Sequence, residues 1–145
     1  MIEQKNMALK IILDANILLD LLLQRQGHLE VKIIYEKIAS GEIQCHVTTS
    51  IIHICGHWLK KEIGSAPAKK ALISILNDMT VIDASHKTIF TALISSMTDI
   101  EDALQYHTAM EFNLDCFISN DKSFIKSALP KLPVFSTKDL IKNFL

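Results

Sequence analysis

The chain has 145 residues, 49% of them apolar and 21% charged, and its 15 Lys and Arg against 16 Asp and Glu leave a formal net charge of -1. This length and balance predict one globular domain over residues 1–145. They exclude wholesale disorder, a fold that needs disulfides to stand, and a surface basic enough to bind nucleic acid by charge alone. Lys10 to Asp14 reads K-I-I-L-D, a short Ile-rich run suited to a strand buried on both faces of a parallel sheet. Asn16 can cap the next segment, where Ile17, Leu18, Leu21 and Leu22 recur at helical spacing. A loop with Gly27 follows, then a helix over Leu29–Ala39 stopped by Gly41, and a strand over Gln44–Val47. Thr49 or Ser50 caps a helix to Ile63. Gly64 ends it, and Ser65 and Pro67 open another to Leu76.

Met79–Ile82 reads as a third strand. Ser85 or His86 starts a helix to Ser96, and a further helix opens within Thr98–Asp102 and runs to Phe112. Leu114–Ser119 is a fourth strand, Asp121–Ser127 a short helix, Val134–Phe135 a short strand and Thr137–Leu145 a closing amphipathic helix. Short apolar strands alternating with helices predict an α/β fold with a mainly parallel sheet. Cysteines at 45, 55 and 116 are odd in number and form no C-x-x-C pair, so neither a disulfide framework nor a zinc ribbon is expected. Cys116 reads as a small core residue. Met1 to Lys10 holds no apolar stretch bounded by a cleavage site, and Ile17–Leu23, broken by Asp20, is far short of the ~20 residues of a membrane span. A cytoplasmic protein with no signal peptide and no membrane partner is the expectation.

In an open parallel sheet, ligands bind beyond the carboxyl ends of the strands. Asp14 ends the first strand there, with Asn16 just after it. Ser119 ends the fourth, followed by Asn120 and Asp121, and Asp99, Glu101 and Asp102 open the helix before that strand. Each acid also has a plain reading as a helix cap, a turn residue or a partner of the helix dipole, Asp99 above all and then Asp14. Two carboxylates ~4 Å apart repel by about 4 kcal/mol at an effective dielectric of ~20, so a cluster of them favours protonation, solvation or a bound cation. Hard oxygen ligands suit Mg²⁺ or Mn²⁺, which can orient a phosphodiester and generate a hydroxide nucleophile.

Three stretches in order resemble the motifs of the PIN-domain family. They are I-I-L-D-A-N-I-L-L-D, D-I-E-D-A-L-Q-Y-H-T-A and F-I-S-N-D-K-S-F. The resemblance implies a three-layer α/β/α sandwich and a metal-dependent ribonuclease acting on RNA. In small members it often implies the toxin of a VapC-type toxin–antitoxin pair, with an antitoxin partner and a homodimer. It implies that Asp14, Asp102 and Asp121 hold Mg²⁺ or Mn²⁺, that Asn16 and Ser119 support those carboxylates by hydrogen bonds, and that Asp20 is an outer acid.

The family commonly has a Glu in the helix after its second strand. Here that position falls on Ile54, and no acid stands between Glu42 and Glu62. His53 beside it offers a nitrogen ligand, and Glu101 a carboxylate, in compensation. The missing Glu keeps a second reading open, a non-catalytic PIN-like domain that binds RNA or protein. A third, phosphoryl transfer through Asp14 as nucleophile, is opposed by the lack of a second Asp two residues on. His53 and His57 share a helix face but lack the Glu of an H-E-x-x-H pattern. They read as surface residues, Trp58 as a core or interface anchor, and Lys60, Lys61, Lys69 and Lys70 as a solvated face.

Overall fold

Five short segments align as a single parallel sheet in the computed structural model of the protein, which describes residues 7–145. The part of the signal-peptide reading that falls on Met1–Asn6 lies outside the described residues. The chain runs β1 (Leu9–Leu13), α1 (Ala15–Leu22), α2 (His28–Ala39), β2 (Ile43–Thr48), α3 (Thr49–Ile63), α4 (Ser65–Leu76) and β3 (Met79–Ile82). It continues through α5 (His86–Ile94), α6 (Ile100–Glu111), β4 (Cys116–Ile118), α7 (Lys122–Lys126), β5 (Val134–Phe135) and α8 (Thr137–Phe144). The strand order is β3-β2-β1-β4-β5, and helices flank the sheet as a three-layer α/β/α sandwich.

The central strand explains the sheet. Ile11 and Ile12 are both 0% exposed although they point to opposite faces, so β1 is covered on both sides and reads as an unbroken apolar run. Burying each such side chain contributes about 1.5–3 kcal/mol. Leu9 to Ile12 pair with Ile43 to His46 of β2, and Ile11 to Leu13 with Cys116 to Ile118 of β4. Cys45, Cys55 and Cys116 are buried and free, and burial pushes the Cys55 thiol up to about 12.

Several helix starts differ from expectation. Thr48, the last residue of β2, caps α3 rather than Thr49 or Ser50, its Oγ1 accepting from the Ile51 N–H at 3.1 Å. The strand passes straight into the helix, so the last extended residue is the one whose hydroxyl can reach back. Asn16 is not a cap. Asp14 holds that backbone position for α1, and its side chain turns elsewhere. Asp99, Asp121 and Ser85 do cap α6, α7 and α5. Gly64 alone separates α3 from α4, and its φ of 88° is a conformation that a side chain would strain. Trp58 is 41% exposed and is therefore not a core residue; Lys61 Nζ stands 5.3 Å from its ring centre.

Among the described residues no helix is long and apolar enough to cross a membrane. The loop between α7 and β5 hangs on Tyr106 of α6, whose buried hydroxyl donates to the Leu132 carbonyl at 2.6 Å and accepts from the Leu129 N–H at 2.7 Å. Tyr106→Phe strands both backbone groups and should cost about 1–3 kcal/mol. A lower urea midpoint at unchanged slope checks it.

Candidate functional site

The strand order reverses between β1 and β4. The chain first adds β2 and β3 on one side of β1, then returns to add β4 and β5 on the other. The carboxyl ends of the two strands at such a reversal border a crevice. The Asp14 N–H donates to the Ile118 carbonyl at 2.9 Å, which brings Ser119 directly beside Asp14. Ser119, fully buried, donates from Oγ to Asp14 Oδ2 at 2.9 Å and accepts at the same oxygen from the Asp121 N–H at 3.2 Å. One hydroxyl thus links two of the expected acids.

Burial raises the Asp14 carboxyl above its usual range, and the charge of Asp121 adds to the rise. The Ser119 hydroxyl and the backbone N–H groups of Ala15 and Asn16 oppose it. Asp102, in the first turn of α6, is pushed up to about 7 by burial and then by the charges of Asp99, Asp14, Asp121 and Glu101. Glu101 is raised by burial, then by Asp14 and Asp99. Acids from β1, α6 and the start of α7 therefore feel one another's charge, although they are far apart in sequence.

The expected residues divide among three hollows. Asp14, Asn16, Asp20 and Asp121 line one of about 350 Å³ together with Asn120. Asp99 and Asp102 line a small one against Ser123 and Ser127. Glu101 and His53 line a third, between α3 and α6. His53 is exposed on α3 and is not brought to the hollow of Asp14 and Asp121. The Asn16 side chain is exposed, and among the described residues it makes no hydrogen bond to a carboxylate; its backbone N–H is what acts on Asp14. Asp20 is raised by burial and lowered by Arg25.

Two carboxylates are partly committed. Asp121 Oδ1 accepts from the Ser123 N–H at 2.9 Å and the Phe124 N–H at 3.3 Å, and Asp99 Oδ1 from the Asp102 N–H at 2.9 Å. Among the described residues, no three His, Cys, Asp or Glu side chains are gathered tightly enough to enclose an ion as they stand. The donor set is nonetheless all oxygen and mutually repelling, the chemistry that a hard divalent cation relieves. Ile54, at the position where the family commonly has a Glu, is half-buried and packs against the core.

Two features had no clear signal in the sequence. Gln105 of α6 is 5% exposed, and its Oε1 accepts from Thr48 Oγ1 at 2.5 Å, tying α6 to the end of β2. Asn120 Oδ1 accepts from the Thr137 N–H at 3.0 Å, and Thr137 Oγ1 donates to Glu30 Oε2 at 2.9 Å, anchoring the loop before Asp121 to α8 and α2. Gln and Asn are ordinarily surface residues, and nothing in their spacing marks these two as anchors.

Comparison with known proteins agrees with this fold. The fold is similar to VapBC2 from Rickettsia felis, solved bound to a DNA fragment from its promoter, with a TM-score of 0.69 and 15% identity over 88% of this chain and 98% of that one. It is similar to PAE2754 from Pyrobaculum aerophilum, at 0.65 and 18% over 97% and 92%. It also resembles VapC20 from Mycobacterium tuberculosis, a Sarcin-Ricin loop cleaving toxin, at 0.66 and 14% over 84% and 98%. No curated protein matches the chain in sequence. The PIN domain family matches residues 10–123, from β1 to the first turn of α7, and the chain belongs to that family.

Proposed function

We propose that the protein is a Mg²⁺- or Mn²⁺-dependent endoribonuclease, the toxin of a toxin–antitoxin pair acting in the cytoplasm. The observation that carries this reading is the Ser119 hydroxyl that ties Asp14 to Asp121 at the β1/β4 crevice, with Asp102 in the adjoining hollow raised by burial and by the charges of both. These three would hold the ion, which when bound supplies an activated water and offsets the charge of the attacked phosphodiester. Ser119 orients Asp14, Asp99 fixes the first turn that carries Asp102, and Asp20 and Glu101 add negative charge at the margin. Phe90, Leu93 and Ile94 of α5 and Ile100 of α6 stand exposed, apolar surface that favours coverage by an antitoxin or a second copy of the chain.

Calorimetric titration with Mn²⁺ tests the reading without knowledge of the RNA. Saturable binding to the wild type, lost in an Asp14→Asn variant that still unfolds in one cooperative transition, is expected. Silence in the wild type would favour the second reading, a PIN domain that binds RNA or protein without cutting. Ile54, which puts an apolar side chain where a fourth acid would strengthen ion binding, is what supports that alternative.

A further inference from the structure

The hollow between α3 and α6 borders the acidic cluster without being part of it. It measures about 520 Å³, within the roughly 300–1,000 Å³ of small-molecule sites. Ile54, Ile100 and Leu104 give it apolar walls, and Ser50, His53 and Gln105 supply the polar groups. Glu101 also lines it and is adjacent in sequence to Asp102, so its contents lie next to the α6 turn that carries the acid.

Gln105 gives the hollow a fixed polarity. Thr48 Oγ1 is held by the Ile51 N–H and donates to Gln105 Oε1, which sets the amide's orientation. Gln105 Nε2 has no hydrogen-bond partner among the described residues, while none of their buried side-chain nitrogens or oxygens lacks one. The NH₂ group is therefore an unpaired donor open to solvent, where Gln105 lines both this hollow and the neighbouring one walled by Thr48, Asp83 and Thr108. Apolar walls with a positioned donor suit a flat heteroaromatic ring that carries acceptors on its edge. A carboxylate in place of Ile54 would remove part of that wall.

We propose that this hollow takes an unpaired nucleobase of the RNA strand whose phosphodiester meets Asp14, Asp102 and Asp121. The proposal rests on the ribonuclease reading and adds a base-binding site to it. A paired base, stacked within a duplex, cannot enter, so the site selects single-stranded or looped RNA.

Nucleosides carry no phosphate, so they probe the hollow independently of metal and cleavage. Adenosine, guanosine, cytidine and uridine should shift the methyl NMR signals of Ile54, Ile100 and Leu104, whereas ribose should not. Leu104→Trp, which fills the hollow, should abolish the shifts and raise KM for RNA about tenfold with kcat nearly unchanged. Ser50→Trp, at an exposed position, serves the same purpose should Leu104→Trp fail to fold. Methyl signals that ignore the nucleosides, or respond equally to ribose, overturn the proposal, as does a hollow that responds only to a protein partner. Nucleoside shifts in a protein that cuts no RNA would uphold the base site and sink the ribonuclease reading alone.

Discussion

Asp102→Asn should lower divalent-ion affinity and RNA cleavage together, by more than ~100-fold, while making the metal-free protein more stable. The first effect follows from losing a charged oxygen donor, since even an outer partner of a metal ligand is worth 10–100-fold. The second follows from the burial of a charge and, after that, from repulsion by the neighbouring acids. In the folded chain the Asp102 carboxyl titrates at about 7 against an ordinary value of 3.8. Between those pH values the folded chain holds more protons at this site than the unfolded one, so its contribution to stability falls as pH rises through the window. Asn removes that loss. Melting curves of both proteins in EDTA should diverge as pH rises from 5 to 8, with the variant melting higher. Wild-type ion affinity should weaken below about pH 7, where protons compete for the same oxygen. Curves that stay parallel across the window would mean that Asp102 is not raised in the folded chain by burial and its neighbours.

Phe117→Ala should be the most damaging single change to the fold. Phe117 is 1% exposed at the middle of β4, with its ring edge-on to Phe124 at 4.8 Å, and Phe124 in turn meets Tyr106 at 5.9 Å. Truncating a buried Phe costs about 3–5 kcal/mol, a large part of the ~5–15 kcal/mol that holds a domain together. The melting temperature should fall by roughly 10–20 °C. The loss also reaches the crevice, because Phe124 belongs to α7, whose first N–H groups bind Asp121. Phe90→Ala, at a 63% exposed ring on α5, is the control and should change stability by no more than about 0.5 kcal/mol. A similar loss in both variants would show that the β4–α7 aromatic cluster has no special role.

Much of this structure is legible from residue pattern alone. Ile11–Leu13 and Cys116–Ile118 announce buried parallel strands because no polar residue interrupts them. The acids at their ends fall where a doubly covered sheet opens. What the pattern leaves open is which of several equivalent groups is used. Thr48, Thr49 and Ser50 are comparable caps, and only the abrupt passage from strand to helix selects Thr48. Asp14 looks like a residue that turns toward its own helix, yet its carboxylate takes the Ser119 hydroxyl from a strand a hundred residues away. Gln105 looks like a surface residue, and its burial follows from a Thr on a distant strand. Trp58 looks like a core or interface anchor because it is large and apolar, and its helix turns it outward, against the core half of that reading. Such choices depend on the tertiary neighbour, which local periodicity does not encode.

The pairing of β1 with β4 has a consequence for the order of synthesis. Asp14 and Ser119 are 105 positions apart, and their contact needs every element from β1 to β4. A growing polypeptide that has left the ribosome as far as α6 already carries Asp14 and Asp102, but not the strand and short helix that set Asp121 beside them. At about 5–20 residues per second, several seconds separate the first acid from the last. A chain interrupted before β4 therefore lacks the crevice altogether, and any nuclease activity can begin only after β4 and the Asp121 turn have been made.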